Sequence, residues 1–340
     1  MNALSDAISM AAGKRQDRAR PGPRPRRLVG QLLQSWGLFL ALILAVGLFG
    51  LLRPAAFLSF SNALSILTLA APLMIAALGL TTALIMNEID LSVGSIIGLG
   101  GVFAVCLMSY WGVPWWLAIF AALALAATAG LATGLMVTVA GANSLIITLG
   151  MATLLTGIEF SLTNQRTIYS GIDPVYVAFG QSLLLGVNVQ VWIAACVALV
   201  MWVFLDHSEV GRYMYATGSN KEAAKLAGLP VNHLRIAGFV FVAVLGAISG
   251  ILLTAQSASA FSNAGQPYLL PAFASAFLGS TMAPDGRFTV KGTLVAVLFI
   301  GVVQTGLTML QLSTGAINVA QGGLLILAVL LSRIGRRFTR

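Results

Sequence analysis

Charged residues are scarce in this sequence. Only 9% of its 340 residues are charged, while 58% are hydrophobic, and a typical soluble domain has about 25% charged residues. A water-soluble fold could not bury so much apolar surface, which excludes a soluble enzyme or binding domain. Segments of about ten residues with alternating hydrophobicity, which mark an outer-membrane barrel, are also missing. The sequence therefore predicts an all-α fold, a polytopic bundle of membrane-spanning helices.

Cysteine and histidine are equally scarce, with two residues of each. Cys106 and Cys196 lie in separate apolar runs without a CxxC pattern, and His207 and His233 flank a polar segment. These positions predict no metal site and no catalytic set of base, nucleophile and orienting group. The interleaved basic and aromatic residues typical of nucleic-acid binding are absent as well. We therefore expect neither an enzyme nor a nucleic-acid partner.

The sequence also lacks the GxxxxGK[ST] pattern, in which a glycine-rich loop and its lysine hold nucleotide phosphates. If ATP drives this protein, both the nucleotide and its magnesium ion must bind to another subunit. We expect the chain itself to hold no cofactor.

Apolar runs of about 20 residues are long enough to cross the hydrocarbon core of a membrane as helices. Such runs and the polar breaks between them predict about ten spans. The third and the eighth span are candidates for broken or re-entrant segments. The predicted spans are 32–52, 62–86, 92–110, 115–139, 143–163, 191–206, 236–256, 268–280, 290–311 and 314–332.

Basic residues are distributed unevenly among the segments between these spans. With a cytoplasmic N-terminus, 17 of the 19 Lys and Arg residues lie on the cytoplasmic side, and only Arg53 and Arg166 lie elsewhere. Because short cytoplasmic loops collect basic residues, this asymmetry predicts a multi-pass protein of the bacterial inner membrane with both termini cytoplasmic. The net charge of +9 fits attraction to the anionic lipids of the inner leaflet.

These boundaries divide the chain into three parts. Residues 1–30, rich in Arg and Pro, are expected to form a disordered basic cytoplasmic tail, followed by a transmembrane domain at 31–333 and a basic tail at 334–340. The first apolar run, about 21 residues long, favours a retained anchor over a cleaved signal peptide. Two long polar segments interrupt the transmembrane domain, a periplasmic one at 164–190 and a cytoplasmic one at 207–235.

The cytoplasmic segment contains the signals of one short helix. Ser219 and Glu222 have the spacing of a capping box, in which each side chain bonds the backbone amide of the other residue. Gly228 suits the left-handed position after a helix end, and Pro230 prevents continuation. These signals predict a helix of about eight residues at 220–227. Because an isolated helix of this length is marginal in water, it either docks on another protein or rests on its own bundle.

The stretch "IMNEIDLSVGSIIGLGG" places two acidic residues, Glu88 and Asp90, between apolar runs. One interpretation is that Asp90 or Ser92 caps a helix that begins at Val93, accepting hydrogen bonds from its free amides. The other is a proton relay through Glu88, Asp90 and Glu159, because carboxylates within a membrane are functional candidates by default. The capping interpretation is favoured, since it explains why the acids stand where one helix ends and another begins.

Three stretches carry a resemblance to a known family. "GRYMYATGSNKEAAKLAGLPVNHLRI" resembles the cytoplasmic coupling loop of permease subunits of bacterial ABC importers, in the ribose and branched-chain amino acid group. "NEIDLSVGSIIGLGG" is similar to the Gly-Gly-Ile-Asp-Leu-Ser-Val-Gly-Ser segment of the sugar branch, and "FLGSTMAPDGRFTVKGTLVAVLFIGVVQTGL" is similar to a third block. The motifs follow the family's order and spacing over about residues 60–333.

The chain departs from the family pattern at two places. Asn87 and Glu88 stand where two glycines are usual, and Ser280 with "APDG" stands where more glycine is usual. These departures leave the particular sugar open, and the sequence explains no role for Glu88. The positions that the resemblance marks in this motif are Glu88, Asp90, Leu91, Ser92, Gly94 and Ser95.

The resemblance implies a permease that moves a sugar or a sugar-like solute into the cytoplasm. The implied partners are cytoplasmic ABC ATPase subunits that bind ATP and magnesium, a periplasmic solute-binding protein, and a second permease copy, identical or closely related. The short helix at 219–229 would transmit the closure of the ATPase subunits to the membrane spans. The residues assigned to this coupling helix are Ser219, Asn220, Glu222, Ala223, Ala224, Leu226 and Gly228.

A neutral sugar requires hydrogen-bonding groups and apolar walls rather than a buried countercharge. Polar residues within the spans are therefore possible pathway groups, although most are expected to bond neighbouring helices. The candidates are Asn143, Thr148, Glu159, Gln304 and Asn318. The competing hypothesis, a proton-coupled secondary transporter with the three carboxylates as its relay, leaves the capped cytoplasmic helix without a role.

Overall fold

The computed structural model of the protein describes residues 25–313, 315–324 and 326. Helices dominate this part of the chain, which confirms the all-α class. They are α1 (Pro25–Leu52), α2 (Pro54–Phe57), α3 (Phe60–Ile85), α4 (Val93–Trp111), α5 (Trp115–Thr138), α6 (Ser144–Thr163), α7 (Pro174–Gln181), α8 (Val189–Trp202), α9 (Glu209–Ser219), α10 (Lys221–Leu226), α11 (Val231–Ser257), α12 (Gln266–Ser280) and α13 (Val290–Met309). Residues 1–24 and 327–340, which include most of the two predicted tails, lie outside the described residues.

Seven of the described helices are long and apolar enough to cross a membrane, which confirms a polytopic membrane protein. α1 covers the predicted first span, and residues 315–324 are helical within the predicted last one. α12, which corresponds to the predicted eighth span, has 15 residues, fewer than the ~20 needed to cross the hydrocarbon core. The seven helices are α3, α4, α5, α6, α8 with its π-helical extension to His207, α11 and α13.

Both long polar segments contain secondary structure. In the first, α7 is followed by a short hairpin of β1 (Leu183–Leu184) and β2 (Val187–Asn188). The buried Tyr176 of α7 donates its hydroxyl hydrogen bond to the carbonyl oxygen of Ile251 on α11 at 2.7 Å. In the second, two helices, α9 and α10, stand where the sequence predicts one.

α11 is the central helix of the bundle and packs against α3, α4 and α5. Glycine makes its crossing with α4 unusually close: a methyl group at Gly250 would overlap the carbonyl oxygen of Ile97, and one at Gly100 would lie 2.6 Å from Cα of Ala247. Such small residues let helix backbones approach within a membrane protein. The crossing fixes α4, which begins at the acidic motif, against the centre of the fold.

We expect Gly250→Ala to lower the free energy of unfolding by about 1–3 kcal/mol, the usual effect of overpacking a core. The matched variant is Gly150→Ala on α6, because a methyl group at that position would meet no other described segment within 4 Å. Thermal unfolding of the detergent-purified variants, followed by circular dichroism, measures the difference. Equal melting temperatures would contradict the close crossing.

Candidate functional site

The candidate site is the break segment, residues 86–92, which separates α3 from α4. α3 ends at Ile85, and Asn87 adopts the left-handed backbone conformation with φ of 57°. α4 then begins at Val93, as the capping interpretation expects. The chain therefore reverses from one span into the next through a tight turn that contains both acids of the motif.

Asp90 fixes the turn in front of α4. Its Oδ1 accepts hydrogen bonds from the Ser92 amide at 2.9 Å and from the Ser92 hydroxyl at 2.5 Å. Both side chains are buried. Burial raises the pKa of Asp90 to about 6, while the two hydrogen bonds from Ser92 act to lower it. Ser92, the residue before α4, makes no side-chain capping hydrogen bond, and Asp90 accepts from the Ser92 amide rather than from an amide within α4.

Glu88 acquires a role that the sequence does not explain. Its carboxylate is only 3% exposed, and its Oε1 lies 2.6 Å from Nζ of Lys221 and 2.7 Å from Nε of Arg235. Lys221 is the first residue of α10, and Arg235 lies in the second turn of α11. A buried carboxylate requires such partners, because an uncompensated buried charge is strongly destabilising. The break segment is thus ion-paired to both α10 and α11.

The same segment also contacts the end of α9. The Asn87 side-chain amide donates a hydrogen bond to the carbonyl oxygen of Gly218. Gly218 leaves no room for a side chain, because a methyl group there would overlap the carbonyl oxygen of Ile85. The break segment, the end of α9, the start of α10 and Arg235 therefore form one contiguous junction, called the junction below.

The predicted capping box on α10 is wrong. The cap is Asn220, whose Oδ1 accepts a hydrogen bond from the Ala223 amide at 3.0 Å. Ser219 is instead the last residue of α9, and its hydroxyl donates to the Tyr215 carbonyl at 2.9 Å. The physical reason is that residues 209–219 form a helix of their own, which directs the Ser219 side chain back along α9.

The remainder of α10 follows the sequence prediction more closely. The helix has six residues rather than about eight, and Gly228 adopts the predicted left-handed conformation with φ of 81°. Ala224 is buried, whereas Leu226 is 90% exposed and Glu222 is also exposed. One face of α10 therefore rests on the bundle, and the other presents an apolar side chain to its surroundings.

The structure does not bring the five possible pathway residues together. Asn143 is exposed and caps α6 through the Leu145 amide, and Thr148 is buried against the carbonyl oxygen of Ile89 in the break segment. Asn318 is exposed in the helical segment 315–324. Gln304 lines a separate cavity of about 330 Å³, whose other polar lining groups are Tyr268, Thr305 and Thr308.

Glu159 lies in a polar cluster between α4, α6 and the start of α12. Its carboxylate packs against Gly98, Oε2 accepts a hydrogen bond from the Asn263 amide at 2.9 Å, and Oε1 has no hydrogen-bond partner among the described residues. The other members of the cluster are Ser95, whose hydroxyl lies 2.9 Å from that of Thr156, and Gln266, whose amide donates to Ser95 at 3.1 Å.

The remaining motif residues support the start of α4. Leu91 packs against the main apolar core, and Gly94 lies against Leu269 and Gln266 of α12. Sequence reasoning missed Lys221, Arg235, Thr156 and Gln266. A signal existed for the first two, since a carboxylate beside a membrane span needs a cation and the segment at 207–235 holds basic residues.

Comparisons with known proteins agree with the motifs. The family model described as branched-chain amino acid transport system / permease component matches residues 62–330. The ribose import permease protein RbsC of Haemophilus influenzae is 32% identical over 89% of this chain and 94% of its own length. RbsC of Escherichia coli K12 is 34% identical over 86% of this chain and 91% of its own length. The D-allose transport system permease protein AlsC of Escherichia coli is 30% identical over 88% and 92% of the two chains. No solved structure matches the chain.

Replacing the true cap should loosen α10. Loss of a side-chain cap costs about 1 kcal/mol, so we expect Asn220→Ala to increase hydrogen–deuterium exchange of residues 221–227 by about fivefold. Ser219→Ala is the matched control, because among the described residues its hydroxyl bonds the Tyr215 carbonyl and no amide of α10, so its loss should leave that exchange unchanged. Faster exchange of residues 221–227 in Ser219→Ala than in Asn220→Ala would instead support Ser219 as the cap.

Proposed function

Because this chain belongs to the family of branched-chain amino acid transport system permease components, we propose that it is the membrane-spanning subunit of an ATP-driven importer for a sugar or a sugar-like solute. It is a multi-pass protein of the inner membrane. The observation that carries the proposal is the similarity over most of both chains to permeases named for ribose and allose import. The sugar-branch motif around Asp90 supports the same class of solute.

The proposed importer contains three further components. Cytoplasmic ABC ATPase subunits bind ATP and magnesium, a periplasmic solute-binding protein delivers the solute, and a second permease copy completes the pathway. α10 is the proposed ATPase contact. Its exposed Leu226 and Glu222 leave one face of the helix uncovered, while Lys221 connects the same helix to the break segment.

The proposed topology keeps the full set of about ten spans, with both termini and α10 on the cytoplasmic side. α1 and α12 are then spans or partial spans in addition to the seven long helices. The distribution of Lys and Arg supports this orientation. In the same scheme the segment at 164–190, with α7 and the β hairpin, faces the periplasm.

We propose that the solute pathway involves the five polar residues that the sequence marks as pathway candidates. The buried candidates are Glu159, whose Oε1 has no hydrogen-bond partner among the described residues, and Thr148, which lies about three turns earlier on α6. Gln304 contributes to a cavity with apolar walls and a few polar groups, the composition typical of small-ligand sites. Asn143 and Asn318 are exposed, where a second permease copy could enclose them.

The proton-coupled alternative is disfavoured by the junction. Glu88, one of its three relay carboxylates, is already ion-paired to two cations within 2.7 Å, so it belongs to the contacts that join α10 and α11 to the break segment. The junction also connects α10 to the spans. A proton relay would give this connection no function. The relatives named as import-system permeases agree with the ATP-driven reading.

Transport energetics test the proposed function. We expect the complex of permease, ATPase subunits and binding protein, reconstituted in liposomes, to import radiolabelled ribose or allose only when ATP is supplied on the ATPase side. Import should persist with a proton uncoupler, because no proton gradient is used. Uptake that a pH gradient drives in liposomes holding the permease alone would contradict the proposal.

The contact through α10 has its own test. We expect Leu226→Glu to reduce recovery of the ATPase subunits with the tagged permease at least about tenfold, the effect of losing roughly 1.4 kcal/mol of binding free energy. The control is Leu185→Glu, since Leu185 is 85% exposed in the β hairpin and lies on the periplasmic side of the proposed topology. Equal recovery for both variants would count against α10 as the contact.

A further inference from the structure

Glu88 is paired with two cations that belong to different parts of the molecule. Lys221 begins α10, and its side chain is 37% exposed, whereas Arg235 belongs to the central helix α11 and is 16% exposed. We infer that the Glu88–Lys221 pair is a breakable link through which displacement of α10 reaches the break segment, while Arg235 holds Glu88 in place. This inference rests on the proposed function, in which α10 contacts the ATPase subunits.

The arrangement of charges suits one fixed and one breakable partner. Both cations contact the same oxygen, Oε1, at 2.6 and 2.7 Å. When Lys221 leaves, Arg235 still compensates the buried carboxylate, so the interior never holds an unpaired charge. The lysine ammonium is a compact, strongly hydrated charge on a flexible stem, whereas the guanidinium of arginine is weakly hydrated and suited to buried pairs. Lys221, the more exposed partner, therefore separates from Glu88 at a smaller cost in free energy than Arg235 would.

The break segment can transmit a displacement of α10 to α4 because hydrogen bonds hold the segment near both of its ends. Asn87 bonds the end of α9 through the Gly218 carbonyl, and Asp90 fixes the turn into α4 through the Ser92 amide. α4 crosses α11 at glycine contacts and packs against α6. A change in the position of Lys221 thus acts on a short, rigid connection that ends at the first residue of a membrane span.

Glu88 and Lys221 are positioning residues in this scheme, since neither is placed in contact with solute or nucleotide. A merely structural pair would affect folding and assembly alone. A link between α10 and the break segment also determines how the break segment responds to ATP. This response can be measured without knowing the solute.

The experiment uses the full complex with its ATPase subunits. Cys106 and Cys196 are replaced by alanine, and Ile89→Cys places one thiol in the break segment, where Ile89 is 36% exposed. The rate of maleimide labelling of that thiol is measured with and without ATP. We expect ATP to change the rate at least about fivefold, the lower end of ordinary coupling between two sites.

Three variants of this labelled complex separate coupling from structure. Lys221→Met should abolish the change with ATP while the ATPase subunits still co-purify and hydrolyse ATP. Lys221→Arg keeps the positive charge and should retain the change. Arg212→Met is the matched control, because Arg212 lies 3.9 Å from Glu209 in an exposed pair within α9, and its labelling should respond to ATP as in the parent complex.

The other possible outcomes contradict the inference. A response to ATP that persists in Lys221→Met overturns the link, and so does a parent complex that hydrolyses ATP without any change at the thiol. Loss of ATPase subunits from Lys221→Met, restored in Lys221→Arg, assigns the pair to assembly and also overturns it. If the parent permease recovers no ATPase subunit at all, the proposed function fails, and the inference fails with it.

Discussion

A carboxylate in an apolar interior is stable only when cations and hydrogen-bond donors surround it, and Glu88 obtains its cations from two helices that are remote in sequence. Lys221 and Arg235 are brought to it by the approach of α10 and α11. This requirement fixes where α10 begins relative to the end of α3. The contact from Asn87 to Gly218 depends on the packing of distant helices as well, whereas the bond from Ser92 to Asp90 is local.

The close helix crossings make that approach possible. α4 and α11 touch through glycine at Gly250 and Gly100, and α9 meets α3 at Gly218, where no side chain fits. In an apolar environment, close packing and hydrogen bonds replace the hydrophobic effect as the source of association between helices. The same small residues therefore stabilise the bundle and place polar groups of distant segments within bonding distance of each other.

The junction and the polar cluster around Glu159 differ in how completely their carboxylates are bonded. At the junction, the carboxylates of Glu88 and Asp90 both have partners, which suits a structural connection between α10 and the spans. In the polar cluster, Oε1 of Glu159 has no partner among the described residues, although its neighbours Ser95, Thr156 and Gln266 bond one another. Both groups include or adjoin residues of α4, which begins at the junction and carries Ser95 in its first turn. Movement of the first turn of α4 would therefore displace Ser95 and alter the polar cluster around Glu159.

Local sequence determined much of this protein. The length and hydropathy of single runs predicted the positions of the seven long helices, and Pro and Gly correctly marked the end of α10, because these signals act within a few residues. The break between α3 and α4 followed from the same kind of signal, with Asp90 accepting the amide of a residue two positions away. Apolarity and the three motifs were sufficient to assign the family.

Only the tertiary structure decided what the polar residues contact. The partners of Glu88 lie 133 and 147 positions away, and no local pattern pairs them, because the pairing depends on how helices pack. The cap of α10 shifted from Ser219 to Asn220 for a related reason: α9 is strongly amphipathic and forms against the bundle, which extends it to Ser219. Helix positions are a property of contiguous residues, whereas ion pairs and caps at helix junctions are a property of the packed chain.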